Sequence, residues 1–269
     1  MKLNTDGIMG RLDEKAFFGI SIGIFAVWML LTFLLEGLRN TLNDGSGIDR
    51  LLYAGIANIL VGSLVTGLLV ISGYKAGILD KKDLGFSGIK RTSIMIVIAI
   101  TVGTLIFVMQ GVPSSDPVVL INGFAQVFPT TLAEVMVCWV FIGSAGKAIM
   151  NKLGKVPSTL ILMTLSSTLF GLYHFAHSAP FNTIGMVFVL TVIGVLTSLV
   201  YYLGKDIFST LIFHNLMATF GVVGALEDGA LTDLKIPLMV LMGASLIVLA
   251  YYTSKFHRVK IEGLKEVSA

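Results

Sequence analysis

"VPSTLILMTLSSTLFGLYHFAHSAPFNTIGMVFVLTVIGVLTSLVYYLG", residues 156–204, contains no Asp, Glu, Lys or Arg. Soluble domains carry about a quarter of their residues as charges, so they do not hold a run of this length. A helix needs about 20 apolar residues to cross a bilayer, and the stretch is long enough to cross twice. It is interrupted at "SAPFN", 178–182, where Pro and Asn signal a turn. The two halves are continuously apolar and do not alternate at period two, which excludes a transmembrane β-barrel. Helices are then the structure that satisfies its own backbone in hydrocarbon.

Working outward, uncharged runs of spanning length recur at 16–35, 51–74, 92–115, 207–226 and 236–254, and Pro117 to Gly146 holds a single charge. The chain is 55% hydrophobic and 13% charged, with a mean hydropathy of +0.89. These features predict an all-α, polytopic membrane protein of about eight transmembrane helices, with 1–269 as one integral membrane domain. The first fifteen residues mix Lys2, Arg11 and Lys15 with Asp6, Asp13 and Glu14, and no small-residue cleavage site follows the first apolar run, so that helix is expected to stay. All Lys and Arg except Arg39, Arg50 and Lys235 fall in the two tails, the 75–91 and 147–155 loops and the Lys205 turn. The other side carries Glu36, Asp44, Asp49, Asp116, Glu227, Asp228 and Asp233. By the positive-inside rule both termini face the cytoplasm of a multi-pass protein in the cell membrane. The net charge of +3 is then a basic rim facing anionic membrane lipid and calls for no nucleic acid. Cys138 lies within a span, so no disulfide framework exists. "YKAGILDKKDLGFSGIKR", 74–91, reads as a cytoplasmic loop, and "GSAGKAIMNKLGK", 143–155, as a short interfacial helix.

Against this background the polar residues at membrane depth stand out. A charged side chain at the bilayer centre costs roughly 2.5–3.5 kcal/mol on insertion scales, so such residues are rare and usually functional. Glu134 is the one acid placed well inside a span, and His174, His177 and His214 also fall within spans, leaving only His257 in a tail. Counting along the helices puts Glu134, nine residues before Gly143, and His214, eight after Asp206, about 12–14 Å below the cytoplasmic surface. His174 falls about 25 Å along its helix, a mismatch that strong tilt would have to remove. His174 and His177, three apart, are expected on one helix face with Phe170 and Tyr173 one turn before them. Asn215 points about 100° away from His214 around the helix. It is a candidate either for the site or for bonding between helices, and buried histidines can likewise bridge helices. Cys138 and Trp139 are expected to pack.

A glutamate in one span, "FGLYHFA" at 170–176 in the next, and "FHNLMA" at 213–218 two spans later resemble the motifs of the CPBP family of intramembrane proteases. That family includes the type II CAAX prenyl endopeptidases and the bacteriocin-processing and self-immunity proteins. The resemblance covers roughly 80–222, the expected catalytic core, and extends to "KDLGFSG" at 82–88 and the helix–turn–helix stretch 190–218. The family's usual first motif, Glu-Glu-x-x-x-Arg, is divergent: Val135 follows Glu134, and Cys138 or Trp139 takes the arginine position. Ala218 stands where the family often has Asn or Asp in its third motif.

The resemblance implies an intramembrane endopeptidase acting, from the cytoplasmic side, on a membrane-associated or lipid-modified peptide. Glu134 would activate water with His174 and His214 assisting, and Asn215 and His177 would contact substrate or oxyanion. Glu134, His174 and His214 are also a zinc-type ligand set if a divalent metal is used, while a metal-free glutamate mechanism fits the same residues. Two other readings stand beside it: a catalytically impaired relative acting as an immunity or scaffold protein, and a small transporter or proton relay. The last would call for inverted repeats and broken spans, and the sequence has neither.

Overall fold

The computed structural model describes residues 13–42, 47–109, 111–150, 152–225, 231 and 236–266. Among them eight helices are long and apolar enough to cross a membrane: α1 Glu14–Gly37, α2 Gly47–Lys75, α3 Ile89–Met109, α4 Pro117–Ile149, α5 Lys155–Ala176, α6 Ile184–Gly204, α7 Ile207–Gly224 and α8 Ile236–Phe256. The all-helical, eight-span expectation therefore holds. Of the basic residues behind the orientation reading, Lys2, Arg11 and Lys235 lie outside the described residues, as do Asp6, Asp44, Glu227, Asp228 and Asp233, and the side chain of His257.

Side-chain caps set several starts. Asp13 accepts from the amide of Ala16 at 2.7 Å, and Asp116 accepts from Val118 at 2.8 Å with Pro117 opening α4. Asp206, fully buried, accepts from Ser209 at 2.8 Å at the head of α7. Each satisfies an amide that the first helical turn leaves without a partner. The loop between α3 and α4 begins earlier than the apolar run suggests: Gly111 and Val112 both take positive φ, and Pro113 follows.

The core is α4. Its apolar window is 94% buried, against 17–67% for the other spans. α2, α7 and α8 pack on it; α5 pairs with α6, α3 lies on α7, and α1 lies against α2 and the end of α4. The expected interfacial helix at 143–155 is not a separate element. Residues Ile142–Ile149 continue α4 with Gly143, Ser144 and Gly146 buried, because Ser144 Oγ donates to the Asp83 carbonyl at 2.9 Å and Gly146 lies against Leu162.

One end of the bundle is tied by the 76–88 loop. Tyr201 donates to the Asp83 carbonyl at 2.9 Å, the amide of Ile207 donates to Gly85, and Lys81 donates to the Phe256 carbonyl at 2.6 Å. Arg91 reaches the Gly204 carbonyl at 2.8 Å. The basic loops thus gather at a single end, where α2, α4, α6 and α8 finish and α3, α5 and α7 begin.

At mid-depth the helices are locked by polar contacts. Trp28 Nε1 donates to Asn58 at 3.1 Å, and Asn58 donates to Thr130 at 3.0 Å, linking α1, α2 and α4. The Tyr173 ring stacks on Trp28 with centroids 3.7 Å apart, and its hydroxyl bonds Thr32 at 3.1 Å. Gly62 permits this closeness, since a Cβ there would lie 2.4 Å from that of Ala133, the residue before Glu134. Small residues at helix crossings and hydrogen bonds between helices replace the hydrophobic drive that lipid removes.

Candidate active site

Glu134 ends the α-helical part of α4, and Val135–Phe141 continue as a π-helical turn. Such turns occur often at functional sites. Its carboxylate is 3% exposed and faces two imidazoles, with Oε2 3.0 Å from His214 Nε2 and Oε1 3.7 Å from His174 Nε2. The three residues singled out in the sequence therefore converge.

The depth mismatch for His174 has a simple origin. Because α4 runs to Ile149 and not to Gly143, Glu134 lies about 22 Å from that end, against about 28 Å from Lys155 to His174 along α5.

Both histidines are oriented from behind. His174 Nδ1 lies 2.9 Å from the Phe170 carbonyl, which can only accept, so Nδ1 carries a proton and Nε2 faces Glu134. His214 Nδ1 lies 2.9 Å from Thr197 Oγ1, whose single proton goes to the Ile193 carbonyl. Thr197 therefore accepts from Nδ1, and the contact between His214 Nε2 and Glu134 Oε2 holds one proton between them. Trp139 and Phe170 wall His214 with ring centroids 5.2 and 4.8 Å away.

His177 is placed differently from the helical expectation. α-Helical geometry ends at Tyr173, His174–Ala176 form a 3-10 turn, and His177 is extended. The turn still keeps the His174 and His177 rings stacked, 5.3 Å apart. Nor does His177 meet an interface: it is 5% exposed and pairs through Nδ1 with Glu36 Oε2 at 3.1 Å.

Glu36 is the acid that the sequence reading left at the polar margin. It is wholly buried and also accepts from the Ser178 amide at 2.8 Å and from the Ser178 hydroxyl. Gly37 makes the approach possible, because a Cβ there would lie 2.3 Å from the Ala176 carbonyl oxygen.

A cavity of about 510 Å³ contains the site, lined by Glu134, His174, His177 and His214 among mostly apolar side chains. Its walls come from the starts of α2, α6 and α8 and the later part of α7, which places it in the half of the bundle away from the basic loops. α6 packs on α5 and α7, whereas α8 packs on α2 and α4, so these two walls do not form a packed pair. Half-exposed Val189 on α6 and exposed Gly221 on α7 border the cavity here.

Asn215 does not line this cavity. Its Nδ2 donates to the Phe124 carbonyl at 3.2 Å, tying α7 to α4. Thr131, which sequence reasoning passed over, does line it, one turn before Glu134, with its hydroxyl buried and without a partner. A buried, unpaired hydroxyl was the signal, and a sequence does not carry burial.

The residues do not fit a shared metal ion as they stand. Glu134 addresses each histidine with a different oxygen, and among the described residues no three His, Cys, Asp or Glu side chains are grouped so as to hold one.

Eight apolar helices surround a buried carboxylate and two histidines, the architecture of a multi-pass membrane protein. Residues 146–220 match the family model for type II CAAX prenyl endopeptidase Rce1-like proteins, so the chain carries a domain of the family that its motifs resemble. The matched segment holds His174, His177 and His214 and lies within 80–222; Glu134 precedes it. Comparison with curated proteins and with solved structures found no match.

Proposed function

We propose that this chain is an intramembrane endopeptidase that hydrolyses a peptide bond of a prenylated or otherwise lipid-modified, membrane-associated substrate, with Glu134 as general base. The observation that carries this reading is the pairing of one buried carboxylate with two back-oriented imidazoles inside an apolar cavity. Separated by 3.7 Å, Glu134 Oε1 and His174 Nε2 are too far apart for a direct hydrogen bond and close enough for one water to donate to both. As that water attacks the scissile carbonyl, its proton passes to Glu134 Oε1 and then to the leaving nitrogen. His174 orients the water, and His214, sharing a proton with Oε2, holds the carboxylate in place. The Thr131 hydroxyl is available to the carbonyl oxygen as negative charge develops there.

With both termini in the cytoplasm of the cell membrane, as the basic loops favour, the cavity faces the outer half of the bilayer, so substrate enters from that half. This departs from the cytoplasmic approach expected from sequence.

The test is cleavage of a pool of prenylated and hydrophobic peptides by purified protein in detergent, comparing wild type with Glu134→Ala and His214→Ala. Hydrolysis by wild type that both variants lose supports the proposal; equal hydrolysis by all three sinks it. Thr131→Val should lower kcat by roughly 10²-fold with little change in KM, the scale for losing one oxyanion donor. A strong chelator should leave the wild-type rate unchanged, and a rate lost to chelation and restored by zinc would overturn the metal-free step.

A further inference from the structure

At the end of the bundle where the basic loops gather, a smaller cavity of about 70 Å³ opens among the helix ends. Four lysines from four separate segments line it: Lys82 from the loop between α2 and α3, Lys147 from the end of α4, Lys155 at the start of α5 and Lys205 between α6 and α7. Asp83 is the one acid among the lining residues. Lys82 pairs with Asp80 at 2.7 Å, and Lys147 donates to Ser158 Oγ. Among the described residues Lys147, Lys155 and Lys205 form no ion pair. Burial raises the Asp83 pKa while Lys82, Lys205 and Lys147 pull it back, so these three ammonium groups lie within electrostatic reach of a single carboxylate.

A basic membrane rim needs no such convergence. The positive-inside bias asks only that Lys and Arg lie at one side, and Lys75 and Lys90 satisfy it outside the cavity. Four like charges drawn around one hollow repel each other until an anion neutralises them. The backbone builds the hollow. Gly143 leaves room for the Tyr202 hydroxyl, since a Cβ there would lie 2.5 Å from it. Lys205 takes the left-handed φ of 54° that ends α6, where glycine is the usual residue. A space equal to about two waters suits one tetrahedral oxyanion.

We infer that Lys147, Lys155 and Lys205, with Lys82 at the rim, bind one phosphate group, that of an anionic lipid headgroup or of free phosphate. Lysines address phosphate as point charges, so several can surround a tetrahedral group without the forked geometry that arginine brings. The position favours the lipid source. The spans end here, at headgroup level, and Val156 and Leu160, beside Thr159 of the cavity wall, are exposed and apolar, a track for acyl chains. Bound phosphate joins the ends of α4, α5 and α6, the helices that carry Glu134, His174 and Thr197. It requires no hydrolysis, so it holds whatever reaction the Glu134 site performs.

Full-length protein in dodecyl maltoside is melted at fixed ionic strength with inorganic phosphate, or in micelles containing phosphatidic acid or diacylglycerol of the same acyl chains. Phosphatidic acid at about a hundredfold its dissociation constant should raise the melting temperature by roughly 5–10 °C over diacylglycerol. Lys155→Gln with Lys205→Gln should lose that shift, and Lys155→Arg with Lys205→Arg, which keeps the charge, should retain it. Lys75→Gln with Lys90→Gln removes the same charge from the same rim outside the cavity and should also retain it. A shift with phosphatidic acid but not with inorganic phosphate makes the ligand a lipid. A shift with inorganic phosphate that the first glutamine pair abolishes makes free phosphate sufficient. No shift with either, or a shift lost equally from both glutamine pairs, would overturn the inference.

Discussion

Glu134→Gln is expected to reduce hydrolysis by about 10³-fold or more while leaving peptide binding near the wild-type level, the loss typical of a general base. Glutamine keeps the volume and can still bond His214, so the fold should survive and the melting temperature in detergent should change little. What disappears is the capacity to take a proton from water and return it to the leaving nitrogen. His174 stays in place, since its orientation comes from the Phe170 carbonyl and not from Glu134. Turnover of the glutamine variant above about a tenth of wild type would remove Glu134 from that role and leave the cavity without a base beside His214.

The second large effect is on stability. Glu36→Ala should cost about 3 kcal/mol, since each buried donor left without its acceptor costs roughly 1–3 kcal/mol. It strips three contacts at once, from His177 Nδ1, the Ser178 amide and the Ser178 hydroxyl, in a region where water does not replace them. The 3-10 turn that carries His174 is then held to α1 only through packing. Thermal melting should fall by on the order of 10 °C. Glu36→Gln should fall less, because an amide still accepts from Ser178. A melting temperature for the alanine variant equal to wild type would show that Ser178 and His177 hold α5 to α1 without the carboxylate.

The spans were legible because hydrocarbon imposes length: a run without charge that is long enough to cross has few other fates. Glu134 and His214 were legible for the same reason, since an ionisable group is conspicuous against twenty apolar neighbours. Glu36 was not. It lies in the last turn of α1, three residues before Arg39, where an acid at the membrane surface looks the same in sequence as an acid folded inward. Nor were Thr197 and Ser178, because hydroxyls are common in membrane helices and which one backs a histidine depends on how helices cross. Asn215 shows the converse: adjacency to His214 suggested the site, but its direction around α7 delivers it to the backbone of α4. The charge count addresses orientation and says nothing of which half of the bundle is hollow, because that depends on how the helices pack.

The π-helical turn after Glu134 works like an extra hour on a clock face. Val135–Phe141 wind more loosely than an α-helix, and within them Trp139 donates to Ser198 at 2.8 Å and flanks His214. A second buried carboxylate, Glu36, reaches the neighbourhood of the site from α1 through His177, whose ring stacks on His174. The electrostatic surroundings of the site are therefore borrowed from another helix, and comparisons of this chain with its relatives belong in three dimensions, where Glu36 is a neighbour, and not along the string of letters, where it is ninety-eight places away.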